Sequence, residues 1–481
     1  MLNIQDYMLM TDFYEYTMAY TYFKEGIHEQ IGYFDMFARR VPDGGGYMIA
    51  NGLHRFIEFI QEFHFTDEQI DFLRSTNYFD EEFLTYLKNM EMDIDVWAVP
   101  EGTPIFGNEP IVTVRGKLIQ AQIVETILLI FINYSTLITT KASRIVRASQ
   151  GRAVLEFGSR RAHGLDAANE GARAAYIAGA KGTACTITGM KYGVPVSGTM
   201  AHSYIQLHDN EYDAFLAYAK ICPTNCVLLV DTYDTLHSGI PNAIKVAQDF
   251  LIPNGYQLNG IRIDSGDLAY LSKKARKMLD EAGLQSTKIV VSNSLDEFLI
   301  DDLIMQGAQI DTFGVGENMI TAKSNPVLGG VYKVVAHEVD GVIIPKIKIS
   351  GNVEKLTNPG FKKIIRFYDN DDNKAIADVL ALKDEVIDEN EYLLFDPLSP
   401  WKQKKITNYH IVELQKPIFE KGKLVYEVPD TQQVKAYCEE QMATLWDEVK
   451  RMRYPHNYYV DYSQKLYDLK QDLIKKNTIK L

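Results

Sequence analysis

The chain has 481 residues, 46% of them hydrophobic and 24% charged, and a formal net charge of −14 at pH 7. This length and composition predict a globular protein of two or three domains. The acidic balance argues against nucleic-acid or membrane partners, because non-specific binding to either needs a cationic surface. A phosphate site in this chain must therefore be a local cluster of basic side chains and backbone amides.

The first 138 residues mix helical and strand-like segments. Aromatic and isoleucine residues recur at helical spacing from Phe56 to Phe63, and Thr66 followed by acids predicts a helix start. Short strands are predicted at residues 95–100, 104–106 and 111–114. The apolar stretch from Ile119 to Ile138 is interrupted by polar residues, which predicts a buried helix rather than a membrane span. No signal peptide is predicted, because no basic region followed by an apolar one opens the chain.

From residue 139 to 350, apolar runs alternate with amphipathic helical segments. The runs lie at residues 153–157, 194–196, 227–230, 260–263, 288–291 and 312–315. One of the intervening helices is predicted at Asp267 to Ala282, with one apolar and one basic face. This alternation predicts an α/β fold, either a (β/α) barrel or an open parallel sheet. In both, ligands bind at the carboxyl ends of the strands.

Past residue 350 the alternation fades. Residues 369–374 predict a charged hairpin turn, and Trp446, Val449 and Met452 share one face of a predicted helical tail. We therefore predict that 1–138 and 351–481 together form a second α/β domain around the central barrel of 139–350.

Four cysteines are too few for a disulfide framework at this length. Cys222 and Cys226 allow a metal-site interpretation, but no second pair with matching spacing follows. Structural thiols in a reducing cytoplasm are the favoured interpretation.

His202 follows the apolar run Val194-Pro195-Val196 after several small residues. Small neighbours leave open space around the imidazole, which suits a reacting histidine. Taken alone, however, a histidine near a strand end is more often a structural residue satisfied by hydrogen bonds than a catalyst.

Other apolar runs also end in polar residues. Arg160 and Arg161 could present a fork to phosphate or carboxylate, or form surface salt bridges. Asp231 could hold Mg²⁺ or ribose hydroxyls, or cap a helix.

Arg262 and Asp264 share one face of their strand by alternation, and a core-filling role explains them poorly. Ser265 and Asp267 could be helix caps. Glycine-rich turns at 314–316 and 328–331 are typical of late barrel loops that bind phosphate through backbone amides.

Together these motifs resemble the nicotinate phosphoribosyltransferase family nearly end to end. The matching strings are residues 9–14 (LMTDFY), 37–40 (FARR), 156–162 (EFGSRRA), 198–203 (GTMAHS), 231–235 (DTYDT), 262–267 (RIDSGD), 292–293 (SN), 314–316 (GVG) and 358–360 (NPG). The resemblance implies an α/β barrel of the type II phosphoribosyltransferase kind and a homodimer with shared active sites. It also implies an ATP-dependent ligase of NAD salvage that joins nicotinate to 5-phosphoribosyl-1-diphosphate, with Mg²⁺ and a phosphohistidine.

The resemblance also implies residue roles. His202 is the expected phosphate acceptor, and Asp231 and Asp264 are the expected Mg²⁺ and ribose ligands. Arg262 is expected near the pyridine or diphosphate. The remaining expected substrate-binding residues are Tyr14 and Phe157 around the pyridine ring, Arg160 at a carboxylate or phosphate, Thr199, Ser265, and Gly314, Gly316, Gly329 and Gly330 around the 5′-phosphate.

Two positions bear on specificity. Ala184 aligns with an aspartate that accepts a hydrogen bond from the amide in the nicotinamide-using relative, so a neutral residue there favours the acid. Glu317 stands where many members have a small hydroxyl residue, which puts a phosphate contact there in doubt.

The sequence allows three alternative functions. A nicotinamide-using enzyme differs only in the preferred pyridine. A non-catalytic nucleotide-binding regulator would need neither the histidine nor the acids. A barrel lyase or aldolase would need a Schiff-base lysine or a zinc triad, and the sequence places neither at a strand end.

Overall fold

The computed structural model describes residues 4–350 and 356–478, with only the backbone described for Gln5. The chain divides into two compact units. Unit 1 comprises the described parts of Met1–Leu137, Val327–Pro429 and Ala436–Leu481, and unit 2 comprises Ile138–Pro326 and Asp430–Lys435. Residues 327–350, which the predicted barrel segment included, belong to unit 1.

Unit 1 contains mainly antiparallel sheets. Its seven-stranded sheet runs in the order Val342–Pro345, Gly330–Val339, Ile31–Ala38, Val112–Lys117, Asp95–Ala98, Lys416–Glu420 and Lys423–Leu424. Its four-stranded sheet runs in the order Tyr409–Glu413, Lys362–Asp369, Ala375–Leu382 and Val460–Tyr462. The two-stranded sheets are Glu391–Asp396 with Ser399–Thr407, and Met48–Ile49 with Pro104–Ile105.

The described residues of unit 1 also form α-helices. They are Phe13–Lys24, Leu53–Gln61, Asp67–Ser75, Glu81–Lys88, Leu118–Ile123 and Gln464–Asn477, with 3₁₀ turns at Ile4–Leu9 and Pro42–Gly44. Thr66 caps its helix as predicted, because its side chain accepts from Gln69 N while the Gln69 side chain accepts from Thr66 N. Helices Glu125–Ala148 and Thr431–Thr444 each have residues in both units.

Unit 2 contains one six-stranded parallel sheet. Its order is Gly182–Thr183, Ala153–Glu156, Thr312–Val315, Lys288–Ser292, Gly260–Ile263 and Val227–Leu229. These short, β-branched runs are largely buried, as is typical of parallel strands covered on both faces. The half-barrel arrangement confirms the predicted α/β fold class.

Helices connect the parallel strands of unit 2. They are Leu165–Ile177, Thr186–Tyr192, His202–Gln206, Glu211–Ile221, Ile240–Val246, Leu268–Glu281, Glu297–Met305 and Glu317–Ile320. Shorter 3₁₀ turns lie at Ser159–Arg161, Pro223–Asn225 and Ile252–Asn254, and π-helical turns at Thr235–Gly239 and Ala247–Leu251.

The run Val194–Val196 forms only a single parallel bridge, between Val196 and Thr183, so His202 does not follow a full strand. Trp446 to Met452 is not helical: the Trp446 ring packs near Tyr458, and the tail helix is Gln464–Asn477 instead. The helical stretch Leu118–Ala148 is long and apolar enough to cross a membrane, and 61% of its most apolar window is buried, as in a core helix.

Candidate active site

The parallel register of unit 2 aligns polar residues along the carboxyl edge of its sheet. Ser292 pairs with Gly314, and Val315 pairs with Glu156 in the next strand. At one end of the strand order, Leu229 of the edge strand pairs with Arg262 of the neighbouring strand. Residues that follow these strands are therefore neighbours, although up to 159 positions separate them in the chain, as between Glu156 and Val315.

Arg262 connects three segments at this edge. Its Nε donates to Ser292 Oγ at 3.0 Å, and its two terminal nitrogens donate to Thr199 Oγ1 at 3.2 Å and Asp264 Oδ1 at 3.1 Å. Its guanidinium carbon lies 5.8 Å from the centre of the Phe157 ring. The side chain is only 14% exposed, so its planar fork is held in one orientation.

Asp231 and Asp264 lie side by side at adjacent strand ends. Asp231 Oδ2 accepts from the backbone N–H of Asp264 at 2.9 Å and from Ser265 Oγ at 2.6 Å. Asp231 Oδ1 is buried and has no hydrogen-bond partner in the described structure. This arrangement differs from a helix cap, which is the role that Asp267 has by accepting from Tyr270 N.

The two carboxylates fit a magnesium ion that also takes ligands from a substrate. The described residues contain no group of three or more His, Cys, Asp or Glu side chains able to hold a metal alone. Mg²⁺ is usually bound by one or two carboxylates together with phosphate oxygens and water. The unpartnered Oδ1 of Asp231 supplies an acceptor of the required kind.

His202 is the first residue of the short helix His202–Gln206. Its Nδ1 lies 3.1 Å from Thr232 Oγ1, and its Nε2 lies 3.8 Å from Asp264 Oδ2. The side chain is 40% exposed. The imidazole is thus oriented at one nitrogen, adjacent to the carboxylate pair, and accessible to a ligand.

The Phe157 ring lies directly on Gly314. A Cβ atom on Gly314 would come within 2.5 Å of two ring carbons, so this glycine permits the close approach of the aromatic ring. Gly314 lies inside strand Thr312–Val315 rather than in a turn, and Gly316 follows that strand. A Cβ on Gly316 would lie 3.1 Å from the carbonyl oxygen of Phe157.

Glu156, the residue directly before Phe157, is fully buried. Its carboxylate accepts from the backbone N–H of Gly158 and, at 2.6 Å, from the hydroxyl of Thr183. Burial raises the pKa of Glu156, and these two hydrogen bonds oppose part of that rise.

The two arginines after Phe157 differ. Arg160 is exposed and makes no hydrogen bond or ion pair with the residues that the structure describes. Arg161 Nε lies 3.8 Å from Glu317, whose carboxylate also contacts Lys323 Nζ at 2.7 Å. Lys323 lowers the pKa of Glu317. These three residues line a cavity of about 340 Å³, so Glu317 occupies a position between two cations that an anion could otherwise take.

Three predicted site residues belong to unit 1. Tyr14 lies on helix Phe13–Lys24 and is 47% exposed. The expectation that Gly329 and Gly330 form a late barrel loop is wrong, because Gly330 begins a strand that pairs antiparallel with Ile31–Ala38.

Ser292 and Thr232 contact site residues in the structure, although the sequence did not identify them as site residues. Each is a hydroxyl residue at or just after a strand end, which is the signal that could have identified them. None of the four cysteines forms a disulfide bond, which is consistent with the interpretation of Cys222 and Cys226 as structural thiols.

Comparisons with known proteins give one consistent result. Three family models match: the nicotinate phosphoribosyltransferase N-terminal domain at residues 9–133, the nicotinate phosphoribosyltransferase family at 153–365, and its C-terminal domain at 361–470. The chain is 45% identical to nicotinate phosphoribosyltransferase of Bacillus subtilis over 469 residues, covering 97% of this chain and 95% of the relative. It is 30% identical to the Homo sapiens protein of that name, covering 97% and 96%.

Solved structures are similar to the chain in fold. The crystal structure of human nicotinic acid phosphoribosyltransferase superposes with a TM-score of 0.84 at 28% identity, covering 97% of this chain and 99% of that one. A nicotinate-nucleotide pyrophosphorylase from Pyrococcus furiosus, at 22% identity and a TM-score of 0.71, shares the fold.

Proposed function

The chain belongs to the nicotinate phosphoribosyltransferase family, and we propose that it joins nicotinate to 5-phosphoribosyl-1-diphosphate, coupled to ATP hydrolysis. The products are nicotinate mononucleotide and diphosphate. The observation that carries this proposal is the hydrogen-bonded set of Arg262, Asp264 and Asp231 beside His202 at one edge of the parallel sheet.

The geometry suits displacement at ribose C1. The enzyme has mainly to hold a diphosphate leaving group on one side of C1 and the pyridine nitrogen on the other. Arg262 supplies a fixed cation beside the Phe157 ring. Asp231 and Asp264 would hold Mg²⁺, which when bound neutralises diphosphate charge, and their free oxygens would orient ribose hydroxyls.

We propose that the pyridine ring stacks on Phe157, with Arg160 free to meet the nicotinate carboxylate. An aromatic face suits a flat ring with few hydrogen-bonding groups. The other face would be covered by the partner subunit's Tyr14 in a homodimer. The half-exposed state of Tyr14 supports this proposal, since a ring that contacts another chain must be accessible.

ATP coupling is proposed to pass through His202. An imidazole nitrogen attacks the γ-phosphorus of ATP, the bond to the ADP oxygen breaks, and ADP leaves. Water later cleaves the N–P bond and releases phosphate. The contact with Thr232 supports this proposal, because an oriented imidazole presents its nitrogen in a defined direction.

The proposed substrate is tested by comparing nicotinate with nicotinamide in one product assay containing 5-phosphoribosyl-1-diphosphate, Mg²⁺ and ATP. We expect nicotinate mononucleotide as the main product, since neutral, exposed Ala184 offers no side-chain acceptor for an amide. Preferential use of nicotinamide would identify the other pyridine as substrate. Absence of either product would favour the non-catalytic regulator.

The proposed phosphohistidine is tested with His202→Ala and γ-labelled ATP. Wild type should acquire acid-labile protein phosphate, and the variant should not. The variant should also lose ATP stimulation while keeping slow, uncoupled transfer. His208→Ala is the matched control, because His208 lies close in sequence and its ring contacts Tyr204, through the carbonyl and the aromatic ring, rather than the strand-end site. Unchanged ATP stimulation in His202→Ala would refute the assignment.

We further propose a cytoplasmic location. The absence of a disulfide bond among the four cysteines supports it, since cysteines without disulfides are usual in reducing compartments. Fractionation of the native cell, with activity assayed in each fraction, tests this proposal.

A further inference from the structure

Glu156 is a buried carboxylate to which the proposed reaction assigns no role. It ends strand Ala153–Glu156, is 0% exposed, and forms no ion pair with any residue that the structure describes. Burying a carboxylate without a cation is unfavourable, and burial raises its pKa. Such a group is commonly retained for a function rather than for stability.

The side chain connects two segments that the sequence separates by more than twenty residues. One oxygen accepts from the backbone N–H of Gly158, directly after Phe157. The other accepts from the Thr183 hydroxyl at 2.6 Å, directly before Ala184. Thr183 Oγ1 in turn accepts from Cys185 N at 2.9 Å, so both sides of Ala184 are tied to this carboxylate.

Both connected segments have little freedom to adjust. A Cβ atom on Gly158 would lie 2.6 Å from Ile320 Cβ and 2.8 Å from Glu156 Oε1, so this backbone is packed against its neighbours. The backbone N–H of Ala184 donates to the Glu156 carbonyl at 2.9 Å. The main chain and side chain of Glu156 therefore act on the same two segments.

We propose that Glu156 is a positioning residue that sets the separation between Phe157 and Ala184, and thereby the slot for a planar pyridine carboxylic acid. This inference rests on the proposed function. Its physical reason is that a stacked ring tolerates little displacement of its aromatic platform. Glu156 does not touch the substrate and acts through the Gly158 amide and the Thr183 hydroxyl.

The role depends on reach and hydrogen bonding rather than on charge. Glutamine has the same length: its oxygen can accept from Gly158 N–H, and its amide can donate to Thr183 Oγ1. Aspartate is one methylene shorter and cannot reach both partners. Glu156→Gln should therefore resemble wild type, whereas Glu156→Asp and Glu156→Ala should not.

The test measures KM separately for nicotinate and for 5-phosphoribosyl-1-diphosphate. Glu156→Asp and Glu156→Ala should raise the nicotinate KM by roughly tenfold to a hundredfold, the scale of a misplaced reactant. The other KM and ATP stimulation should stay within about twofold, because the hydrogen bonds that join Arg262, Asp264 and Asp231 do not involve Glu156 or Thr183. Thr183→Val should reproduce part of the effect, and Thr183→Ser should restore wild-type values.

Three results would overturn the proposal: an unchanged nicotinate KM in Glu156→Asp, equal increases in both KM values, or failure of glutamine to restore the nicotinate KM. Should Glu156→Ala fail to fold, Thr183→Val decides, since it keeps the carboxylate and removes only the hydroxyl. Wild-type enzyme that makes no nicotinate mononucleotide refutes the proposed function itself, whatever the variants do.

Discussion

At the residue scale, Arg262 holds the side chains of the strand-end site in one arrangement. Its three hydrogen bonds reach a neighbouring strand, the segment before His202, and Asp264 directly after its own strand. A lysine at this position would keep the charge but would lack the planar fork that meets three acceptors in fixed directions.

We expect Arg262→Lys to lower kcat/KM by roughly a hundredfold or more, the scale for loss of one preorganised donor. The melting temperature should change little, because the side chain lies at the edge of the sheet rather than in its core. Steady-state kinetics with thermal unfolding checks both. Arg276→Lys, on the helix Leu268–Glu281 of the same unit, is the control and should leave kcat/KM unchanged. Near-normal kinetics for Arg262→Lys would contradict the role.

At the element scale, the four-stranded sheet of unit 1 is held by a buried ion pair between its two central strands. Arg366 on Lys362–Asp369 donates to both oxygens of Asp378 on Ala375–Leu382, at 2.8 and 2.6 Å, and both side chains are 0% exposed. Tyr458 OH donates to the same carboxylate at 3.0 Å. This pair couples the strand register to residues far along the chain.

Arg366→Met should destabilise the protein by about 3–5 kcal/mol, because it leaves the Asp378 carboxylate buried without its cation. Thermal unfolding and chemical denaturation measure the change. Lys405→Met, which removes an ion pair with Glu391 whose side chains are 59% and 58% exposed, is the matched control and should have little effect. Equal effects of the two variants would show that burial of the first pair does not matter.

At the scale of the whole molecule, buried titratable groups in unit 1 make stability depend on pH. Burial, with the nearby Asp396 charge, raises the pKa of Asp461 to about 7. The folded state therefore holds this proton to higher pH than the unfolded chain does. Stability should fall as pH rises from about 4 to about 7, with no further loss from this group above that range.

Asp461→Asn should remove this component. Its melting temperature should exceed that of wild type by a difference that grows from pH 4 to pH 7 and then stays constant. Thermal unfolding across that range measures it, and Asp468→Asn on the exposed side of helix Gln464–Asn477 is the control. A constant difference at all pH values would show that the effect is not one of titration.

The proposed homodimer with shared active sites predicts complementation between inactive variants. Tyr14→Ala and Asp264→Asn should each have low activity, because each damages one contribution to every site. Unfolded, mixed and refolded together, they should recover about a quarter of wild-type activity, since half of a random dimer population carries one intact site of two. No recovery, in a mixture shown to be dimeric by sedimentation, would place both residues in one subunit's site.

The sequence determined the composition of the site, because its signals are local. Alternation along one strand places Arg262 and Asp264 on the same face. In the structure, a terminal nitrogen of Arg262 lies 3.1 Å from Asp264 Oδ1. Apolar runs alternating with amphipathic helices predicted the parallel sheet, and the family motifs identified the same strand ends. Register between strands is not local, so the contacts of Arg262 with Ser292 and of His202 with Thr232 emerged only from the folded chain.

Tertiary structure also decided the positions of the glycines. Gly329 and Gly330 have the composition of a phosphate-binding turn, yet they lead into an antiparallel strand of unit 1, because that strand's partner, Ile31–Ala38, lies three hundred residues earlier. Glu156 illustrates the same point: a glutamate after three apolar residues carries no sequence signal of its role. Its contact with the Thr183 hydroxyl exists only because the sheet pairs Glu156 with Thr183, since hydrogen bonds across strands depend on pairing rather than on sequence spacing.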